Sequence, residues 1–149
     1  MTPIYQRLEQ AFTKAIKNQQ AVAVSTLRML KSAIRYREVE ARRPLTEDEL
    51  QATIVTQVKQ RREAIGEYTR AGRPDLAKKE EEELSILLSF LPPQLTPQEC
   101  EGEISQIIEE VGASGPKDLG RVMKAAMVRL AGRADGKVVQ EIVRRHLSS

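Results

Sequence analysis

The chain has 149 residues, of which 40% are hydrophobic and 30% charged, a balance typical of a protein that folds around a modest core in water. Its longest apolar run, residues 86–91, is far shorter than the roughly 20 residues of a membrane-spanning helix, so a span is not expected. The net charge of +3 is too small to identify a partner.

Apolar residues recur every three or four positions along nearly the whole chain, which predicts an all-α fold. A first helix over residues 3–17 has an apolar stripe formed by Ile4, Leu8, Phe12 and Ile16. A second helix, with a basic outer side, should stop before Pro44, because proline disfavours helix just upstream. Its apolar face is formed by Ala23, Leu27, Leu30 and Ile34.

A third helix is predicted to begin at Thr46, because Thr46 and Glu49 have the spacing of a capping box. Its apolar positions are Leu50, Ile54, Val58, Ile65 and Tyr68. Gly72 suits the end of this helix and Pro74 the first turn of a fourth. The fourth helix has an apolar stripe of Leu76, Leu84, Leu87 and Leu91.

Two consecutive prolines, Pro92 and Pro93, remove two amide donors and cannot lie inside a helix. We therefore predict a proline linker over residues 92–95. It would join a four-helix N-terminal domain, residues 1–91, to a three-helix C-terminal domain, residues 96–149.

The fifth helix has one of the strongest start signals in the chain: Thr96 as the cap, Pro97 at the first position and Glu99 at the third. We expect it to run to Val111.

The sixth helix should open near Pro116 and close at Gly132, and Asp135 should cap the seventh. The apolar positions of the sixth are Leu119, Met123, Ala126 and Leu130, and those of the seventh are Val138, Val139, Ile142, Val143 and Leu147. Gly120 weakens the first turn of the sixth helix, which favours close packing against another helix over close approach of an RNA backbone.

Catalytic residues, metal ligands and cofactors are not predicted. His146 is the single histidine, and nucleophilic or metal chemistry needs partners that the sequence does not offer. We expect Cys100 to be a small residue on a helix surface, and its solitary thiol suits a reducing compartment. The glutamates at residues 80–83 are expected to form a solvated face, because consecutive side chains of a helix point in different directions.

Between Arg121 and Arg145 there are seven basic residues and two acidic ones, whereas the fifth helix is acidic. Such polarisation is typical of a surface that faces phosphates, although an ordinary solvated face has the same composition. The candidate RNA-binding residues are Lys117, Arg121, Lys124, Arg129, Arg133, Lys137, Arg144 and Arg145. We expect them to converge on one outer surface.

Aromatic residues make up only 3% of the chain, so a stacking platform for single-stranded bases is not expected. Any RNA contact is therefore expected to be to the backbone and the shape of the RNA, which fits a folded RNA better than a sequence-specific target. DNA is not an expected partner, because the basic residues form no evident base-reading row.

Two C-terminal segments, PKDLGRVMK at residues 116–124 and GRADGKVV at residues 132–139, resemble the tail domain of GatB in the tRNA-dependent amidotransferase. Upstream, the segments TLRMLKSAI, QRRE, ELSIL and FLP at residues 26–34, 60–63, 83–87 and 90–92 resemble the free-standing YqeY family. The resemblance covers nearly the whole chain. It implies a four-helix domain followed by the three-helix amidotransferase tail, an appendage that contacts tRNA.

The resemblance thus implies a non-catalytic accessory protein that binds tRNA or associates with the amidotransferase. One alternative is an adaptor whose long N-terminal helices dock a protein partner in translation or amidation. Another is carbon–nitrogen ligase activity with glutamine as the amide donor, which we attribute to the domain shared with the larger enzyme rather than to this chain.

The N-terminal residues 1–7 lack a basic stretch followed by an apolar segment. A secretory signal is therefore not expected, and we predict a cytoplasmic protein.

Overall fold

A computed structural model describes residues 2–148, and within that range the regular structure is entirely helical, which confirms the predicted all-α fold. The helices are α1 (Pro3–Lys17), α2 (Ala21–Ala41), α3 (Glu47–Arg70), α4 (Pro74–Leu88), α5 (Pro97–Val111), α6 (Leu119–Arg129) and α7 (Gly136–Ser148). The chain divides into two compact units, one ending at Pro92 and the other beginning at Pro93.

The first unit, α1 to α4, is organised around a close pairing of α3 with α4, against which α1 and α2 pack. Its most deeply buried side chains are Leu8, Leu27, Leu30, Leu50, Ile54 and Leu87. Ile16 was expected in the stripe of α1 but is 50% exposed, and Ala15 is buried instead. The reason is helical geometry: a strict four-residue repeat drifts away from the core by about 40° per step, so the position that returns to it is residue 15.

Local capping signals fix where two of the helices begin. In α3, the Glu49 amide donates to Thr46 Oγ1 at 3.2 Å, and the Thr46 amide donates to Glu49 Oε1 at 2.9 Å. Thr96 and Glu99 form the same reciprocal pair in α5. Each pair satisfies two backbone amides that a helix start would otherwise leave without a partner.

In the second unit, α5, α6 and α7 all pack against one another. Their core is formed by Cys100, Ile104, Ile107, Val122, Ala126, Leu130, Val139, Ile142, Val143 and Leu147. Gln94 and Leu95, which the sequence assigns to the linker, hydrogen-bond within this unit: the Leu95 amide donates to the Arg133 carbonyl at 2.9 Å, and Gln94 Nε2 to the Gly132 carbonyl at 2.6 Å. Asp135 caps α7 as expected, because its Oδ1 accepts the Lys137 amide at 3.0 Å.

Candidate nucleic-acid interface

The segment directly before α6 is a structured turn. Pro116–Asp118 form a short 3-10 turn directly before the helix, so the predicted sixth helix divides in two at Leu119. The Asp118 carboxylate accepts the Ser114 amide at 2.9 Å, and this hydrogen bond, together with that of Gly115 and the Arg121 charge, lowers the pKa of Asp118. The turn is therefore held by a carboxylate that stays ionised.

Three cations lie along the outer side of this turn and α6. Lys117, Arg121 and Lys124 are spaced by four and three residues, and all three are exposed. The same helix buries Val122 and Ala126 completely, on the side opposite the cations. We call Lys117, Arg121 and Lys124 the α6 basic stripe. Arg121 also lies 3.3 Å from Asp118 Oδ1, an exposed contact that contributes little to stability.

Gly120 lies beside the α6 basic stripe and is exposed, and a Cβ built on it would meet no atom within 4 Å. The expectation that helix packing explains this glycine is therefore wrong. The absence of a neighbour leaves the backbone of the first turn open to approach from outside the unit. The sequence could not show this, because the packing partner of a glycine is set by tertiary structure.

Two of the candidate arginines are engaged with the acidic α5. Arg129 Nη2 lies 2.9 Å from Glu110 Oε2, and Arg129 Nη1 lies 4.0 Å from Glu103. Arg145 forms an ion pair with Glu101, whose second oxygen lies 3.1 Å from His146 Nε2. These cations neutralise carboxylates across helices, so they are less available to a ligand than those of the stripe.

The other three candidates lie elsewhere in the unit. Lys137 and Arg144 are exposed on the side of α7 that faces away from the core, with Glu141 between them along the helix. Arg133 is half-buried in the connection between α6 and α7, where its carbonyl accepts the Leu95 amide. The structure thus divides the eight candidates into the α6 basic stripe, the α5-paired arginines, the outer side of α7 and the connection.

Cys100 is not the surface residue that we expected, since it is only 2% exposed and packs in the core of the second unit. Burial, reinforced by the charge of Glu99, raises the pKa of the Cys100 thiol. A buried neutral thiol is a poor nucleophile. The signal for its burial was present in the sequence, because Cys100, Ile104 and Ile107 share one helix face.

The acidic run at residues 80–83 is not wholly solvated, which corrects a second expectation. Glu83 and Arg61 are each only 7% exposed, and Arg61 Nε lies 2.7 Å from Glu83 Oε2, without the alignment of a hydrogen bond. Glu80 Oε2 lies 3.4 Å from the same Nε. Burial and the Glu83 charge raise the pKa of Glu80. Within residues 2–148, the His, Cys, Asp and Glu side chains nowhere form a metal-binding group of three or more.

A model of the protein family described as "Yqey-like protein" matches residues 5–147. The chain is 28% identical over 145 residues to "Altered inheritance of mitochondria protein 41, mitochondrial" of Pyrenophora tritici-repentis, an alignment that spans 92% of this chain and 79% of that protein. It is 41% identical over 58 residues to one of the subunits of the glutamyl-tRNA(Gln) amidotransferase of Aeropyrum pernix, which spans 36% of this chain and only 9% of that protein. In the part of the chain that the structure describes, no helix is both long and apolar enough to cross a membrane.

Proposed function

Because the chain belongs to the family of Yqey-like proteins, we propose that it is a non-catalytic accessory protein that binds tRNA through its C-terminal unit. In this proposal residues 96–149 are the three-helix counterpart of the amidotransferase tail, and residues 1–91 are a separate four-helix domain. The similarity to a segment of an amidotransferase whose name includes glutamyl-tRNA(Gln) supports this assignment.

The α6 basic stripe is the observation that carries the proposal. Lys117 lies in the turn before α6 and Arg121 and Lys124 lie in its first two turns, so the three cations extend over about 10 Å and can follow a phosphate backbone. Gly120 leaves the backbone beside them uncovered. Since the chain has few aromatic residues, the contact would be with backbone and shape rather than with unstacked bases.

The test is the binding of fluorescently labelled total tRNA, followed by anisotropy at low salt. The triple substitution K117Q/R121Q/K124Q should weaken binding by at least about tenfold, because each cation releases a counterion from the RNA. The matched control is K137Q/R144Q on the outer side of α7, which should retain most of the affinity. Equal binding by the wild type and the stripe variant would refute the assignment of the site.

The non-catalytic part of the proposal is supported by the burial of Cys100, which keeps the thiol away from a substrate. Carbon–nitrogen ligase activity with glutamine as the amide donor would require ammonia release from glutamine. We expect none from the purified protein, and release that depends on the folded chain would overturn this part. A cytoplasmic location stays a prediction, since relatives of this chain carry "mitochondrial" in their names.

A further inference from the structure

The long helix α2 has a second, partly apolar seam that its own unit leaves largely exposed; within the unit, Met29 Sδ accepts a hydrogen bond from Arg61 Nη2 at 3.7 Å. Its buried seam contains Leu27, Leu30 and Ile34. On the opposite side, residues spaced alternately by four and three positions form what we call the outer seam: Ser25, Met29, Ser32, Tyr36 and Val39. Tyr36 and Val39 are each 69% exposed and Met29 is 49% exposed. Alternating spacings of four and three are the a and d positions of a heptad repeat, the pattern by which one helix packs along another.

One edge of the outer seam is lined by Arg28, Arg35 and Arg42, which are exposed and follow one another at intervals of seven residues. Arg28 and Arg35 occupy the g position of the heptad that the seam defines, which sets partner choice through interhelical ion pairs. Arg42 follows directly after the end of α2, where its backbone is left-handed with a φ of 58°. No carboxylate pairs with them in the described part of the chain. Arg28 lies over the Phe12 ring, 5.9 Å from its centroid. Some other cations of this unit do have carboxylate partners: Lys31 lies 3.0 Å from Glu9, and Arg43 lies 2.6 Å from Glu49.

The seam also has room for incoming side chains. A groove of about 810 Å³ runs along the first half of α2, where Ser25, Met29 and Ser32 line it together with Arg28. Small serines alternate with large apolar residues along the seam, so that a facing helix can insert knobs at the serines.

We propose that the outer seam of α2 docks an α-helix of another protein, one with apolar residues at its a and d positions and glutamate or aspartate along the edge that meets the three arginines. Charge complementarity selects this occupant. A second copy of α2 fits poorly, because the opposite edge of the seam is Thr26, Ala33 and Glu40 and so offers one carboxylate for three arginines. This surface lies in the first unit and does not depend on tRNA binding by the second.

The probe is a pair of fluorescein-labelled four-heptad peptides with leucine at a and d. One carries glutamate at e and g, and the other carries lysine there. We expect the full-length protein to bind the acidic peptide and not the basic one. The variant R28E/R35E/R42E should lose at least about tenfold in affinity for the acidic peptide and gain affinity for the basic one. The variant K59E/R70E/K78E makes the same change in net charge on exposed residues outside the seam and should behave as the wild type.

The substitution Y36E tests whether the apolar residues of the outer seam are needed for docking. Because Tyr36 is exposed, the fold should tolerate this change, and the helical circular dichroism of the variant checks that it does. The substitution should abolish binding of the acidic peptide. The inference is overturned if the wild type binds neither peptide or both equally, or if the arginine reversal leaves binding unchanged. If light scattering shows a homodimer that Y36E dissociates, the surface belongs to a second copy and the inference is overturned. If the arginine reversal abolishes tRNA binding while the acidic peptide fails to bind, the surface belongs to RNA, which also overturns the inference.

Discussion

At the scale of the residue, the removal of the buried Arg61 side chain should cost considerable stability. It is only 7% exposed, its Nη2 donates to Met29 Sδ, and its charge is balanced by Glu83 and Glu80. The substitution Arg61→Leu leaves the Glu83 carboxylate buried without a cation and should lower the free energy of unfolding by about 3–5 kcal/mol. Urea denaturation followed by circular dichroism measures this.

The exposed neighbour Lys59 supplies the control, since Lys59→Leu should change stability by less than about 0.5 kcal/mol. The double variant Arg61→Leu/Glu83→Leu should regain most of the loss, because replacing both partners removes the uncompensated charge. A double variant that is less stable than Arg61→Leu alone would show that the cost does not arise from the buried carboxylate.

Substitution of Gly120 by alanine should change stability and tRNA binding in opposite directions. It is a helical glycine with open space around its Cβ position, so Gly120→Ala should raise the free energy of unfolding by about 0.5–1 kcal/mol. If an RNA backbone approaches this turn, the same substitution should weaken tRNA binding. Thermal and urea unfolding would contradict the structural assignment if the alanine variant were less stable than the wild type.

Two residues that the sequence predicts to be exposed are buried, and both errors have the same physical cause. Glu83 was assigned to a solvated run and Cys100 to a surface, yet both are buried by contacts across helices. Arg61 lies one helical turn beyond Val58 on the apolar face of α3, and this interruption of the stripe was the available signal. Which charge would neutralise it depends on α4, which the sequence of α3 does not specify.

At the scale of the element, the start of α3 should be sensitive to acid. The hydrogen bond from Arg43, followed by that from the Thr46 backbone, lowers the pKa of Glu49 from 4.5 to about 2. A lowered folded-state pKa stabilises the protein above the unfolded pKa, and this contribution is lost as the pH falls from about 4.5 towards 2. The difference in unfolding free energy between the wild type and Glu49→Gln should therefore be present at pH 6 and shrink across this window.

Glu40→Gln removes the same charge from an exposed position of α2 and serves as the control for net charge. Urea titrations of the three proteins at pH 6, 4 and 2.5 give the comparison. A wild-type advantage over Glu49→Gln that grows as the pH falls would contradict the role assigned to the capping box.

Helix starts and ends could be predicted because they depend on short-range chemistry. Thr46 and Thr96 accept amides three residues away, and Gly72 supplies the positive φ of 70° that follows α3. The buried face of α2 could also be predicted, because Leu27, Leu30 and Ile34 recur at helical spacing and are buried. The exposure of the outer seam depends on how α1, α3 and α4 pack against α2, which the sequence of α2 does not specify.

At the scale of the whole molecule, the two proposals place different partners on different units: an acidic helix on α2 and tRNA on α6. The composition and the proline pair indicated two helical parts, and the structure has two compact units. The sequence did not show which of the candidate RNA-binding residues are paired within their own unit. Long arginines such as Arg129 and Arg145 reach across to α5, so local charge counts overstated the number of available cations.

The salt dependence of tRNA binding shows whether the α6 basic stripe contacts RNA phosphates. With three phosphate contacts from the α6 basic stripe, the logarithm of the association constant should fall with the logarithm of salt concentration with a slope of about −2 to −3. In the K117Q/R121Q/K124Q variant the slope should approach zero, whereas K137Q/R144Q should keep the wild-type slope. A slope that is the same in the wild type and the stripe variant, or no binding at the lowest salt, would contradict the account.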